Sequence, residues 1–173
     1  MSSAGCRAFI GRPVLNSSQL ADHVELNQLA YRYAAALDSC DVEAFLSVFL
    51  QEARLTTFPP GSDQPLGVST GHAELANVPT IMRERFTRTA HFLTNHLIHL
   101  DGDRATGSLL CMARHYFANR PVGTDLLAVI RYLDRYERRE NCWFIADREI
   151  RFHWSETHTT LNDDQVVGML LRA

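Results

Sequence analysis

Strand-type alternation occupies the chain from residue 90 onward, whereas helical periodicity is confined to the part before it, and this order of elements constrains the fold more than any other feature. Residues 90–100, 104–118, 126–138 and 142–154 read as long strands. Between them stand turn signals: Asp101-Gly102-Asp103, Asn119-Arg120-Pro121-Val122-Gly123 and Arg139-Glu140-Asn141. Long strands joined by short turns form an antiparallel meander, and helices that precede it bury their apolar sides on one of its faces. The expectation is an α+β domain with a strongly bent antiparallel sheet whose N-terminal helices enclose a pocket.

Leu20, Val24, Leu26, Leu29, Ala30, Tyr33, Ala34 and Leu37 recur at helical spacing and predict a helix over 18–37 with one buried stripe. Asp41 is placed to cap a second helix carrying Phe45, Val48 and Phe49 inward. Residues 53–58 read as a strand stopped by Pro59-Pro60-Gly61, with a second short strand at 66–70. A third helix is expected over 74–86, disturbed near its start by Pro79. Residues 1–17 read as a flexible arm, 18–158 as the domain, and 159–173 as a tail whose apolar end, 166–171, packs on the domain or on a partner subunit.

With 173 residues, of which 46% are hydrophobic, the chain suits one domain with a substantial core. A net charge of -3 argues against nucleic acid as a partner. Cys6, Cys40, Cys111 and Cys142 form no C-x-x-C pair and have no accompanying histidine at chelating spacing, which points to a reduced, cytoplasmic chain. No apolar run is long enough for a signal sequence or a membrane span. The chain lacks G-x-x-x-x-G-K-[ST], a Rossmann glycine pattern and H-E-x-x-H, so no metal or nucleotide cofactor is expected.

Strict alternation along 90–100 puts His91, Leu93, Asn95, Leu97 and His99 on one face. On the next strand Leu109, Cys111, Ala113, His115 and Phe117 share a face, so His91, Asn95 and His115 are candidates to look into a cavity. Polar groups in such a place are either hydrogen-bonded or functional. If Asp41 caps the second helix, Asp38 is free to turn inward, where an imidazole partner lowers the cost of burying its charge. A carboxylate behind an imidazole fixes the tautomer and raises the basicity, giving a general base. Tyr33, Phe58 and Met112 are candidate substrate contacts; strict alternation sets Met112 and His115 on opposite faces, so both line the cavity only across a bulge. For Tyr33 a core packing role competes.

The runs YRYAAALDSCDVEAFLSVF, TAHFLTNHLIHLDGDRATG and WFIADREIRFHW resemble the SnoaL-like domain family of the NTF2-like superfamily, across about residues 20–154. That resemblance implies the cone-shaped, curved antiparallel sheet of those proteins. In the dehydratase-like and dehydrochlorinase-like branches an aspartate after the first helix and a histidine opening a central strand form the catalytic pair, and Asp38 and His91 resemble those positions; His115 matches a second histidine approximately. Arg148 in ADREI also resembles a recurrent family position, suited to an ion pair with Asp38 or Asp134. The dehydratases carry a tyrosine just before the aspartate and another on the first strand, where this chain has Leu37 and Thr57.

These readings converge on a cofactor-independent lyase or isomerase of dehydratase type, acting on a small hydrophobic hydroxylated or carbonyl compound. His91 would be the base, Asp38 its orienting acid, and Asn95 or His115 a hydrogen-bond donor to developing charge. The alternatives are a non-catalytic binding or assembly subunit on the same scaffold and a polyketide cyclase. Leu127, Val129, Leu133, Phe144 and Ile150 make more than one sheet face apolar, from which a homodimer or homotrimer is expected.

Overall fold

A computed structural model describes residues 15–117 and 123–171. Most of the expected arm, Cys6 and residues 119–122 of the turn expected before Gly123 lie outside the described residues. Helix α1, Ser17–Ser39, opens with a capping box in which the Asn16 and Gln19 side chains each accept the other's backbone N–H. It buries Leu26, Leu29, Ala30, Tyr33, Ala36 and Leu37. Leu20 and Val24, expected in that stripe, are exposed instead. The inward position at that end belongs to Asp22, which accepts from the Trp143 indole at 3.0 Å and pairs with Arg138 at 2.8 Å.

Cys40 takes a left-handed conformation (φ 53°) that stops α1, and α2, Val42–Leu46, begins at once under the Asp41 cap. The second helix is shorter than its apolar residues suggest, because Phe49 already belongs to strand β1, Phe49–Phe58. Strand β2, Gly67–Thr70, leads into two short helices in place of the expected single one: α3, Gly71–Leu75, and α4, Asn77–Arg85. Pro79 lies in the first turn of α4, where its missing N–H would have had no helical partner.

The long strands follow as β3 (Arg88–Asp101), β4 (Arg104–Phe117), β5 (Gly123–Arg139) and β6 (Cys142–Thr160), the last running beyond its expected end at residue 154. A capped C-terminal helix α5, Asp163–Leu170, is tethered by Arg88 to Asp163 at 2.9 Å. The sheet order is β2-β1-β6-β5-β4-β3. All neighbours are antiparallel except β1 and β6, which run parallel, so the curved sheet is mixed. Among the described residues no helix is long and apolar enough to cross a membrane.

At the centre of the core a guanidinium is buried completely. Arg148 on β6 donates twice to Asp134 on β5, both bonds 2.7 Å, and neither side chain is exposed at all. The cation lies over the rings of Tyr33 (4.0 Å) and Tyr132 (4.5 Å), and the Tyr136 hydroxyl donates to Asp134. His96 stands 3.1 Å from both the Tyr136 hydroxyl and Asn27 Oδ1, which links the ion pair to α1. Removing one member of such a pair strands a buried charge. Arg148→Met is therefore expected to cost about 3–5 kcal/mol in denaturant unfolding, with Arg148→Met/Asp134→Leu recovering part of the loss. A double variant no more stable than the single one would contradict this account.

Candidate active site

The Asp41 side chain caps α2 through the Ala44 N–H at 3.0 Å, and Asp38, in the last turn of α1, is thereby left to face the sheet. A carboxylate at a helix C-terminus opposes the helix dipole, so it needs other partners. Three donors from β3 supply them. The His91 ring donates from Nδ1 to Asp38 Oδ1 at 2.6 Å, the His91 backbone N–H donates to Oδ2 at 3.0 Å, and the Thr89 hydroxyl donates to Oδ1 at 2.9 Å. Burial pushes the Asp38 carboxyl up, but the bonds from the His91 ring, the His91 backbone and Thr89 outweigh it and hold Asp38 below the ordinary carboxylate range. With Nδ1 donating to the acid, Nε2 is the ring nitrogen left without a partner in the carboxylate. The His91 side chain is 3% exposed and that of Asp38 29%, so the acid has some solvent and the imidazole almost none.

His115 reaches the same place from β4, its ring 5.8 Å from that of His91 and nearly perpendicular to it. Phe86, at the C-terminal end of α4, packs on the other side of His115 at 4.4 Å. His115 is buried and its Nδ1 has no hydrogen-bond partner. Burial, and then the nearby His91, push its pKa down to about 4. Near neutral pH His115 is thus an uncharged imidazole beside His91.

Two expected site residues face away. Asn95 is exposed and adopts φ 53° within a bulge of β3: Thr94 pairs with Leu110 and Leu97 with Ser108, so Asn95 and His96 together oppose one residue of β4. The extra residue breaks the alternation; His96, Ile98 and Leu100 come to the inner side, while Leu97 and His99 face out. Met112 stays on the outer face, 42% exposed, because β4 runs against β5 without a register shift and keeps Met112 opposite in direction to His115. Tyr33 is 1% exposed, within ring contact of Phe45, Phe49 and Tyr132. Phe58 lies under the Arg151 guanidinium at 4.1 Å, on a strand separated from β3 by three others. Thr89 and Phe86 were not anticipated; Thr89, two residues before His91, shares its face by simple alternation.

Two hollows lie on the outer side. One of about 770 Å³ separates α5 from β3 and β4, between Phe92, Arg114, Tyr116 and Val167. Another of about 460 Å³ lies over Leu97, Ser108, Leu133 and Asp147. Neither is lined by Asp38, His91 or His115.

A curved sheet with helices laid across it and a polar cluster between them is the NTF2-like architecture. Residues 18–149 match the SnoaL-like domain family, and the chain belongs to it. The uncharacterized protein Rv2910c of Mycobacterium tuberculosis is 24% identical over 141 residues, covering 82% of this chain and 92% of its own length. The hexachlorocyclohexane dehydrochlorinase LinA-type3 of Novosphingobium barchaimii superposes with a TM-score of 0.70 at 16% identity, over 83% of this chain and 94% of that one. A protein assigned as a scytalone dehydratase from Novosphingobium aromaticivorans gives 0.69 at 17% identity, over 86% and 97%. At these identities the likeness is one of fold.

Because His115 titrates near 4 in the folded chain and near 6.5 in the unfolded one, the native state binds fewer protons between those values. The stability that comes from holding the ring neutral is complete above pH ~6.5 and is lost as pH falls toward ~4, by up to about 3 kcal/mol. His96, also lowered by burial, adds to the same slope. Urea unfolding across this range is expected to show the decline, and His115→Phe to flatten it; equal slopes for the two proteins would contradict the assignment.

Proposed function

We propose that this protein is a cofactor-independent lyase or isomerase of dehydratase type, acting on a small hydrophobic hydroxylated or carbonyl compound. One observation carries the reading: the 2.6 Å contact between an ionised Asp38 and the ring of His91, with the ring shielded from water. In such a setting Nε2 of His91 takes a proton from carbon next to a carbonyl or carbinol centre, and Asp38 stabilises the imidazolium that forms. In an elimination the C–H electron pair becomes the new double bond as the C–O bond breaks. The imidazolium then returns its proton to the departing oxygen, which leaves as water, and His91 is neutral again. In an isomerisation the same proton returns to a different carbon.

His115, neutral beside a ring that becomes charged, serves this scheme as a hydrogen-bonding imidazole rather than as a proton donor. A substrate reaches the nearly enclosed His91 ring by displacing a neighbour; Phe86, on the end of the mostly exposed α4, covers the adjacent His115. The resemblance of fold to a dehydrochlorinase and to an assigned scytalone dehydratase supports a lyase over other chemistries.

The test is a panel of small hydroxy-carbonyl compounds followed by NMR in D₂O, reading loss of water and exchange of carbon-bound hydrogen. Turnover is expected from the wild type, reduced by about 100- to 10,000-fold in Asp38→Asn and His91→Ala while ligand binding persists. Compounds that bind without exchange or elimination would instead assign the chain to the non-catalytic binders of this scaffold.

The working unit is proposed to be a homodimer or homotrimer in the cytoplasm. Phe92, Met112, Val129 and Trp154 form one cross-strand row on the outer face, and three of them are 54%, 42% and 52% exposed, Val129 alone being covered. A row of that kind on a sheet is suited to a second copy. Light scattering is expected to give a multiple of the 19.6 kDa chain mass, and Met112→Glu/Trp154→Glu to lower it. A monomeric wild type would remove the assembly proposal.

A further inference from the structure

The base proposed above is held by more than its acid. Asp38 Oδ1 accepts two hydrogen bonds, from the His91 ring and from the Thr89 hydroxyl, while Oδ2 accepts the His91 backbone N–H. All three donors come from a three-residue stretch of β3, so the carboxylate is gripped by a single piece of strand. A lone ring contact would leave the carboxylate free to rotate about its terminal torsion, which is broad and weakly restrained. The backbone bond to one oxygen and the hydroxyl bond to the other close off that rotation and leave the ring of His91 one orientation.

We propose that Thr89 is a positioning residue of the site: its hydroxyl, donated to Asp38 Oδ1, fixes the carboxylate plane so that His91 keeps its proton on Nδ1 and presents Nε2 as the base. The proposal rests on the Asp38 and His91 reading, but what it asserts is a property of the resting protein. The titratable groups around Asp38 are His91 on its own hydrogen bond, His115 on β4, and Cys111 on β4, whose buried thiol is pushed up to about 11 and stays neutral. His115 is likewise neutral near pH 7, so burial, the ring and backbone bonds from His91 and the Thr89 hydroxyl are what set the Asp38 proton affinity, and of these the hydroxyl is the one a substitution removes without touching His91.

The experiment compares Thr89→Val, which keeps the branched shape and removes the donor, with Thr89→Ser, which keeps the donor. The full-length proteins are titrated by NMR, following the Asp38 carboxyl carbon and the His91 ring nitrogens, with thermal melts to verify folding. Loss of one hydrogen bond to a charged acceptor predicts an Asp38 midpoint raised by about one pH unit in Thr89→Val and a mixed His91 tautomer signal. Thr89→Ser is expected to retain the wild-type midpoint and a single tautomer. If valine and serine titrate alike, or if valine leaves both signals unchanged, Thr89 has no positioning role. Because neither readout needs turnover, a protein without lyase activity and a threonine without influence on Asp38 give different results.

Discussion

The extra residue that β3 carries at Asn95 and His96 determines which side chains of the strand meet the core. Without it, a strand alternating from His91 would send Asn95, Leu97 and His99 inward and keep His96 out. With it, His91 and Leu93 face in before the bulge and His96, Ile98 and Leu100 face in after it. Both inward histidines then find partners on α1: His91 at Asp38 near the helix C-terminus, His96 at Asn27 about three turns earlier. The helix is thus fastened to one strand at two points by polar contacts, and the spacing between them holds because β3 carries one more residue than β4 between the pairs Thr94–Leu110 and Leu97–Ser108. Asn95 accommodates the left-handed backbone at the bulge, a conformation asparagine tolerates better than most residues.

The two fastenings differ in what they leave available. Around His96 the ring nitrogens, the Tyr136 hydroxyl and Asp134 are all engaged with one another, and Arg148 balances the charge between two aromatic rings. Gly107 makes room for this arrangement, since a Cβ there would stand 2.7 Å from the Tyr136 ring. Apart from Arg148 Nη1, which is buried without a partner, that cluster is hydrogen-bonded throughout and its ion pair is fully buried, which suits a structural clamp. Around His91 the accounting is incomplete: the acid is satisfied three times over, yet His115 Nδ1 lacks a partner and the acid keeps part of its exposure. The partial exposure of the acid, beside an imidazole nitrogen without a partner, is what separates this fastening from the fully enclosed clamp and makes it the candidate site.

How much of this was legible in the chain follows from which interactions are local. Helix caps are local, so Asp41 as the α2 cap, and with it an inward Asp38, could be read from the order of residues after Leu37. Alternation is local too, and it puts His91 on a face with Leu93 and His115 on a face with Cys111 and Ala113. The bulge is not local, because it arises from pairing with β4, and for that reason alternation alone sends Asn95 to the wrong face. The parallel pairing of β1 with β6 joins segments some ninety residues apart and leaves no mark on the alternation of either. Leu20 and Val24 fit the helical stripe by spacing alone; the chain gives no sign that Asp22 will be drawn inward by Trp143 and Arg138. Thr89 was within reach, standing two positions before His91 on the same face, but a hydroxyl on a strand looks like ordinary strand composition until an acceptor is seen opposite it.

The comparison with dehydratases of this scaffold leaves a chemical question that the site itself narrows. Where the dehydratases it resembles carry two tyrosines, this chain has a buried Leu37 and a half-buried Thr57. A base alone removes a proton slowly from carbon unless the charge that develops is stabilised. Of the groups adjoining His91, His115 is neutral, buried and has a nitrogen to spare, so under the proposed reading electrophilic assistance falls to it. Under that reading, with one neutral imidazole as the assisting group, the compounds best matched to the site supply acidity of their own, through a carbonyl conjugated with the C–H bond or through a leaving group that departs without strong protonation.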